Sequence, residues 1–139
     1  MPYDALPAHI EAFLREPRPA VVATLRRDGT PVTTGTWYGW RDGRIILVMD
    51  AGSVRERKLR HDPRVALTVF GDSWYQHVSL VGRVVDLYPD ADLADVDTLS
   101  RAYRGVPYAR SDDDALVTAV IEVESWRTYG DPGGASMPY

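Results

Sequence analysis

Two Asp-Gly pairs, Asp28-Gly29 and Asp42-Gly43, each stand between apolar runs, and they constrain this chain more than any other feature. Such a pair tolerates the left-handed backbone of a tight turn whose twist matches that of the flanking strands, so it signals a hairpin. Residues 20–26, 31–40 and 44–50 are therefore expected as a three-stranded antiparallel meander. Strand patterns resume at 64–70, 75–88 and 115–124, the last with Val117, Ala119, Ile121 and Val123 facing one way.

Three short helices are expected between the strands. Asp4 can cap the first, with Pro7 in its opening turn and Leu6, Ile10, Phe13 and Leu14 on one face, until Pro17-Arg18-Pro19 ends it. Ser53 and Glu56 fit a capping box for a helix over 53–61, stopped at Asp62-Pro63. A third, over 92–104, places Leu93, Val96, Leu99 and Tyr103 on one side. About six strands with two or three short helices suggest a mainly β fold, a small closed barrel, because closure removes exposed edges. The 139 residues suit one domain over 1–139, with 1–19 as helix and linker and the Gly- and Pro-rich 131–139 as a flexible tail.

Charge and composition narrow the function. A net charge of −4 argues against a general nucleic-acid footprint. No apolar run approaches the roughly 20 residues that cross a bilayer. The first 18 residues are broken by Asp4, Glu11, Arg15 and Glu16, unlike a signal peptide. The absence of cysteine removes disulfides, thiolate nucleophiles and Cys-ligated metals, and fits a cytoplasmic setting. His9, His61 and His77 have no metal-ligand spacing, and no nucleophile elbow, P-loop or dinucleotide fingerprint is present.

Three stretches carry chemistry. In Gly52-Ser53-Val54-Arg55-Glu56-Arg57-Lys58, a helix N-terminus offers free amides and a positive dipole end beside three cations, a setting for phosphate or, equally, a solvated basic face. In Thr33-Thr34-Gly35-Thr36-Trp37-Tyr38, hydroxyls beside a glycine give hydrogen-bond partners and room for a flat ring, although β-formers with one wet face read the same way. Trp74-Tyr75-Gln76-His77, opening a long strand, could line a pocket or an interface, while His77 alone also suits a structural role.

The ordered set Val22-Ala23-Thr24-Leu25, Asp28-Gly29-Thr30-Pro31, Trp37-Tyr38, Gly52-Ser53 and Leu59-Arg60-His61-Asp62-Pro63-Arg64-Val65 resembles the pyridoxamine 5'-phosphate oxidase-like flavoproteins. Val78-Ser79-Leu80-Val81-Gly82 and Tyr103-Arg104-Gly105-Val106-Pro107-Tyr108 continue the likeness, which covers roughly residues 20–129 and is nearest to the actinobacterial reductases that use the deazaflavin coenzyme F-420. The resemblance implies a six-stranded antiparallel split β-barrel of the FMN-binding-protein type, acting as a homodimer. It implies cofactor phosphate at Ser53, Arg55, Arg57 and Lys58. The tricyclic ring would lie along Thr34, Thr36 and Trp37 with Met49 beside it, and Tyr75 and His77 would reach it from the partner subunit. No side chain is expected as a catalytic nucleophile and no metal is expected. The implied activity is hydride transfer from reduced F-420 to a small conjugated substrate, the alternatives being an FMN-dependent oxidase or reductase, or a non-enzymatic flavin carrier.

Departures from the FMN oxidases favour the deazaflavin branch. Val54 and Thr34 stand where those enzymes place arginines, and Gly39 where they place a lysine. No match to their C-terminal substrate-binding segment is visible, which argues against pyridoxamine phosphate oxidation. Lys58 stands where the deazaflavin branch commonly carries a neutral asparagine.

Overall fold

The computed structural model describes residues 5–132. Helix α1 (Ala8–Arg15) leads into strands β1 (Ala20–Leu25), β2 (Pro31–Thr36), β3 (Gly39–Arg41) and β4 (Arg44–Asp50). Helix α2 (Val54–His61), strands β5 (Arg64–Phe70) and β6 (His77–Pro89), a short 3-10 turn (Ala91–Leu93), helix α3 (Ala94–Arg104) and strand β7 (Leu116–Tyr129) follow. The strands form one antiparallel sheet in the order β2-β1-β5-β6-β7-β4-β3. This is the mainly β, split-barrel arrangement that the sequence implies.

Both hairpins form at the Asp-Gly pairs, in two different ways. Asp42 and Gly43 both take the left-handed backbone, at φ 54° and 75°, as a two-residue turn requires. At the first pair only Gly29 is left-handed, and its amide donates to the Arg26 carbonyl at 2.9 Å. The expected closed six-stranded barrel needs two corrections. The segment 31–40 breaks at Trp37-Tyr38 into β2 and β3, giving seven strands, and the sheet is open between them. β2 pairs with β1, in register Val22↔Thr34, whereas β3 pairs with β4, in register Trp40↔Ile45, so the meander is shared between the two ends of the sheet. The break follows from Tyr38, which turns into the core and donates its hydroxyl to the carbonyls of Leu14 (2.8 Å) and Glu16 (3.1 Å).

Ile10, Phe13 and Leu14 of α1 join Val22, Leu47, Leu67, Leu80 and Ile121 in the core. The expected Asp4 cap lies outside the described residues, and Pro7 holds the cap position of α1. Val117, Ala119, Ile121 and Val123 are buried as expected, but β7 extends to Tyr129 rather than ending near 124. Pairing with the long β6 from His77↔Tyr129 to Pro89↔Val117 carries the strand past its apolar stretch. Helix α3 begins at Ala94, not Asp92, because Asp92 and Leu93 are left-handed and the buried Asp90 carboxylate accepts the amides of Asp95 (2.8 Å) and Val96 (2.9 Å). Residues 133–139, most of the expected flexible tail, lie outside the described residues. Among the described residues no helix is long and apolar enough to cross a membrane.

Candidate functional site

The site begins at the turn between β4 and α2. Ser53 caps α2 by accepting the Glu56 amide at 3.2 Å. The Glu56 carboxylate accepts the Gly52 amide at 2.7 Å, so the reciprocal bond of the expected capping box falls one residue earlier. That amide and the Arg60 guanidinium, 2.7 Å away, hold the Glu56 carboxyl below its ordinary pKa. The amides of Ser53 and Arg57 donate to the carbonyls of Asp50 and Ser53, and that of Glu56 to Ser53 Oγ, while those of Val54 and Arg55 in the first turn donate to no acceptor among the described residues.

Arg55 projects from this turn back toward β2. Its guanidinium donates to Thr36 Oγ1 at 3.3 Å, and burial lowers its pKa from the usual arginine value. The desolvated cation makes no ion pair among the described residues, so its charge is free to meet an anion. Thr36 in turn donates to the Trp37 carbonyl at 2.7 Å, which fixes the bend where β2 ends.

Two adjoining clefts run along β2 from this point. One, about 490 Å³, is lined by Thr34, Met49, Ser53, Arg55 and Lys58, with Thr24, Tyr108 and the carboxylate of Asp50. The other, about 660 Å³, is walled by Gly35, Thr36, Trp37 and Tyr103 with Arg18 at its rim. Val48 and Val96 line both, so the clefts form one groove with a cationic end and an aromatic end. The Trp37 ring stacks on Tyr103 with centroids 5.4 Å apart and planes 12° from parallel. Tyr103 is held there because its hydroxyl accepts the Tyr38 amide (3.3 Å) and donates to the Arg18 carbonyl (2.8 Å). Burial raises the Tyr103 pKa, so the hydroxyl stays protonated.

Seven of the ten expected site residues thus meet in one groove: Thr34, Thr36, Trp37, Met49, Ser53, Arg55 and Lys58. Arg57 does not line it. Its guanidinium donates to the Gly52 carbonyl at 2.6 Å and borders a neighbouring cleft, because residues two apart on a helix point in different directions. Tyr75 and His77 also lie away from the groove of their own chain. Trp74 and Tyr75 occupy a turn before β6 rather than the strand itself, with their rings stacked at 3.7 Å. His77 opens β6, where its Nδ1 is 2.7 Å from the Trp74 carbonyl and its ring stacks on Tyr129. Tyr103, Tyr108, Val48 and Val96 were not expected at the site. Helical spacing puts Tyr103 and Val96 only on an apolar face, and nothing local marks which such residues end at a cleft.

The groove fits a nucleotide-like cofactor by its donor set: a half-buried guanidinium, an ammonium, a hydroxyl and open helix amides at one end. Stacked aromatic rings and threonine hydroxyls stand at the other. Among the described residues no group of three or more His, Asp or Glu side chains is placed to hold a metal ion.

The chain is similar to known proteins over nearly its whole length. Residues 6–130 match the family model described as pyridoxamine 5'-phosphate oxidase. Among solved structures, one described as an F420 reductase superposes with a TM-score of 0.79 at 26% identity, covering 88% of this chain and 98% of that one. The conserved hypothetical protein Rv2991 from Mycobacterium tuberculosis gives 0.74 at 26% identity, covering 97% and 92%. The General Stress Protein 26 from Bacillus anthracis shares the fold at 17% identity, with a TM-score of 0.68 over 93% of this chain and 96% of that one. No curated protein matches the chain.

Proposed function

The chain belongs to the pyridoxamine 5'-phosphate oxidase family, and from that premise we propose that it is an oxidoreductase using coenzyme F-420 to deliver hydride to a small conjugated organic substrate. The observation that carries the reading is the single groove running from Arg55 and Ser53 to Trp37 and Tyr103. Its polarity matches a phosphate tail at one end and a flat ring at the other. The likeness to an F420 reductase supports the deazaflavin over FMN, as do the neutral side chains of Thr34 and Val54.

In this reading Arg55 and Lys58 hold phosphate with the first-turn amides of α2, and the Ser53 hydroxyl borders the same anion. Thr34 and Thr36 present hydroxyls to the ring edge, Met49 supplies an apolar contact, and Trp37 braced by Tyr103 forms the wall against which a flat substrate is held. The bound deazaflavin supplies hydride chemistry, and the protein contributes position and local field. Holding the reacting atoms in near-contact removes an entropic barrier without an acid or a nucleophile from the chain.

The reading includes a homodimer, in which Tyr75 and His77 complete the partner's groove. Trp74 is 62% exposed and Tyr129 55% exposed at this end of β6 and β7, a surface that an interface would cover. Light scattering at micromolar concentration should give twice the chain mass, and a single-chain mass would remove the partner's role.

Anaerobic turnover tests the activity. Reduced F-420 with a panel of conjugated acceptors should be oxidised catalytically, with only a modest loss in His77→Ala because water can supply the proton. Stoichiometric FMN in freshly purified protein, with oxygen-dependent turnover, would instead make this an FMN oxidase.

A further inference from the structure

We propose that the cleft on the far side of α2 is a second anion site, for a ligand with an apolar body and a phosphate or carboxylate head. Its volume is about 450 Å³, and its rim carries Arg26 and Arg27 from the β1–β2 hairpin and Arg57, Lys58 and His61 from α2. None of the lining residues is acidic. The remaining lining is Val32 and Val54, and Val54 stands 59% exposed on the first turn of a helix.

This rim gathers four of the eight basic side chains that form no ion pair among the described residues, the others being Arg55, Arg104, Arg110 and Arg127. Eight arginines pair with carboxylates within 4.0 Å elsewhere in the described residues. Arg26, Arg27, Arg57 and Lys58 form no such pair, although the chain carries 20 acidic residues against 16 basic ones. The nearby acids are engaged: Asp28 accepts the Thr30 amide at 2.9 Å, Glu56 pairs with Arg60, and Asp62 pairs with Arg64. Arg26 feels the charge of the neighbouring Asp28, whereas Arg27, Arg57 and Lys58 form no ion pair, and an anion among them offsets their mutual repulsion. The valines beneath give an aryl or alkyl group a place to shed water. Arg57 is already steadied by the Gly52 carbonyl, so less of its freedom is lost on binding.

This site lies beside the cofactor groove and shares only Val54 and Lys58 with it, so it stands or falls separately from the proposed activity. The probe is 4-nitrophenyl phosphate, titrated calorimetrically at low salt into the Arg55→Ala protein, whose cofactor groove is weakened. We expect saturable binding, at least tenfold weaker in Arg55→Ala carrying Arg26→Ala and Arg27→Ala as well. Inorganic phosphate and 4-nitrophenol should each bind more weakly than the combined molecule. Far-UV circular dichroism should be unchanged, since Arg26 joins the hairpin turn through backbone atoms alone. Equal affinity with and without the two hairpin arginines would overturn the proposal, as would loss of all binding in Arg55→Ala alone.

Discussion

Gly82→Ala is expected to lower stability by about 3 kcal/mol, roughly 10 °C in Tm. Gly82 sits in β6 where the pairing with β7 slips, between Val81↔Ser125 and Gly82↔Val123. A Cβ added there would stand 2.1 Å from the Glu122 carbonyl oxygen and 3.1 Å from Ile121 Cγ2. The obstacle is backbone, so no rotamer change relieves it, and the two longest strands must part locally. The β6–β7 pair joins the halves of the sheet, so the strain spreads to both. Gly35→Ala is the control. Its added methyl would meet nothing nearer than the Ala20 carbonyl oxygen at 4.0 Å, and stability should change little. Denaturant midpoints for the two variants check the contrast.

Arg55→Ala should weaken cofactor binding ten- to a hundredfold, the loss of one charge-assisted contact of roughly 1.5–3 kcal/mol. The fold should survive, because the side chain makes a single 3.3 Å hydrogen bond to Thr36 and no ion pair. Two features make the effect large. Burial strips water from the guanidinium, so its attraction for phosphate is less screened than that of a surface arginine. It also projects beside the open amides of α2, so removing it takes out the strongest donor of a cluster. Arg57→Ala, which removes a guanidinium bonded to the Gly52 carbonyl in the next cleft, should cost severalfold less. Equal losses in the two variants would mean that phosphate spans both faces of α2.

Much of this architecture was legible because its signals are local. Two Asp-Gly turns, a serine cap three residues before Glu56, and the alternation of Val117, Ala119, Ile121 and Val123 each act within a few residues. What could not be read depends on distant partners. Thr33 through Trp40 reads as one strand of threonines and aromatics despite Gly35 and Gly39, and it splits where Leu14 and Glu16 draw Tyr38 inward. The same holds for the site. Ser53, Arg55 and Lys58 announce themselves as a capped cationic turn, and Thr34, Thr36 and Trp37 as polar positions on one strand. Tyr103 enters only because α3 packs across the end of β2 and stacks its ring on Trp37.

The cofactor identity is tested most directly by titrating the purified protein with F-420 and, separately, with FMN, following quenching of tryptophan emission. Trp37 forms the aromatic wall of the groove, so a bound tricyclic ring should quench it. Saturable quenching by F-420 at one equivalent per chain, with FMN binding far more weakly, is the predicted result. Tight stoichiometric FMN with no response to F-420 would contradict it.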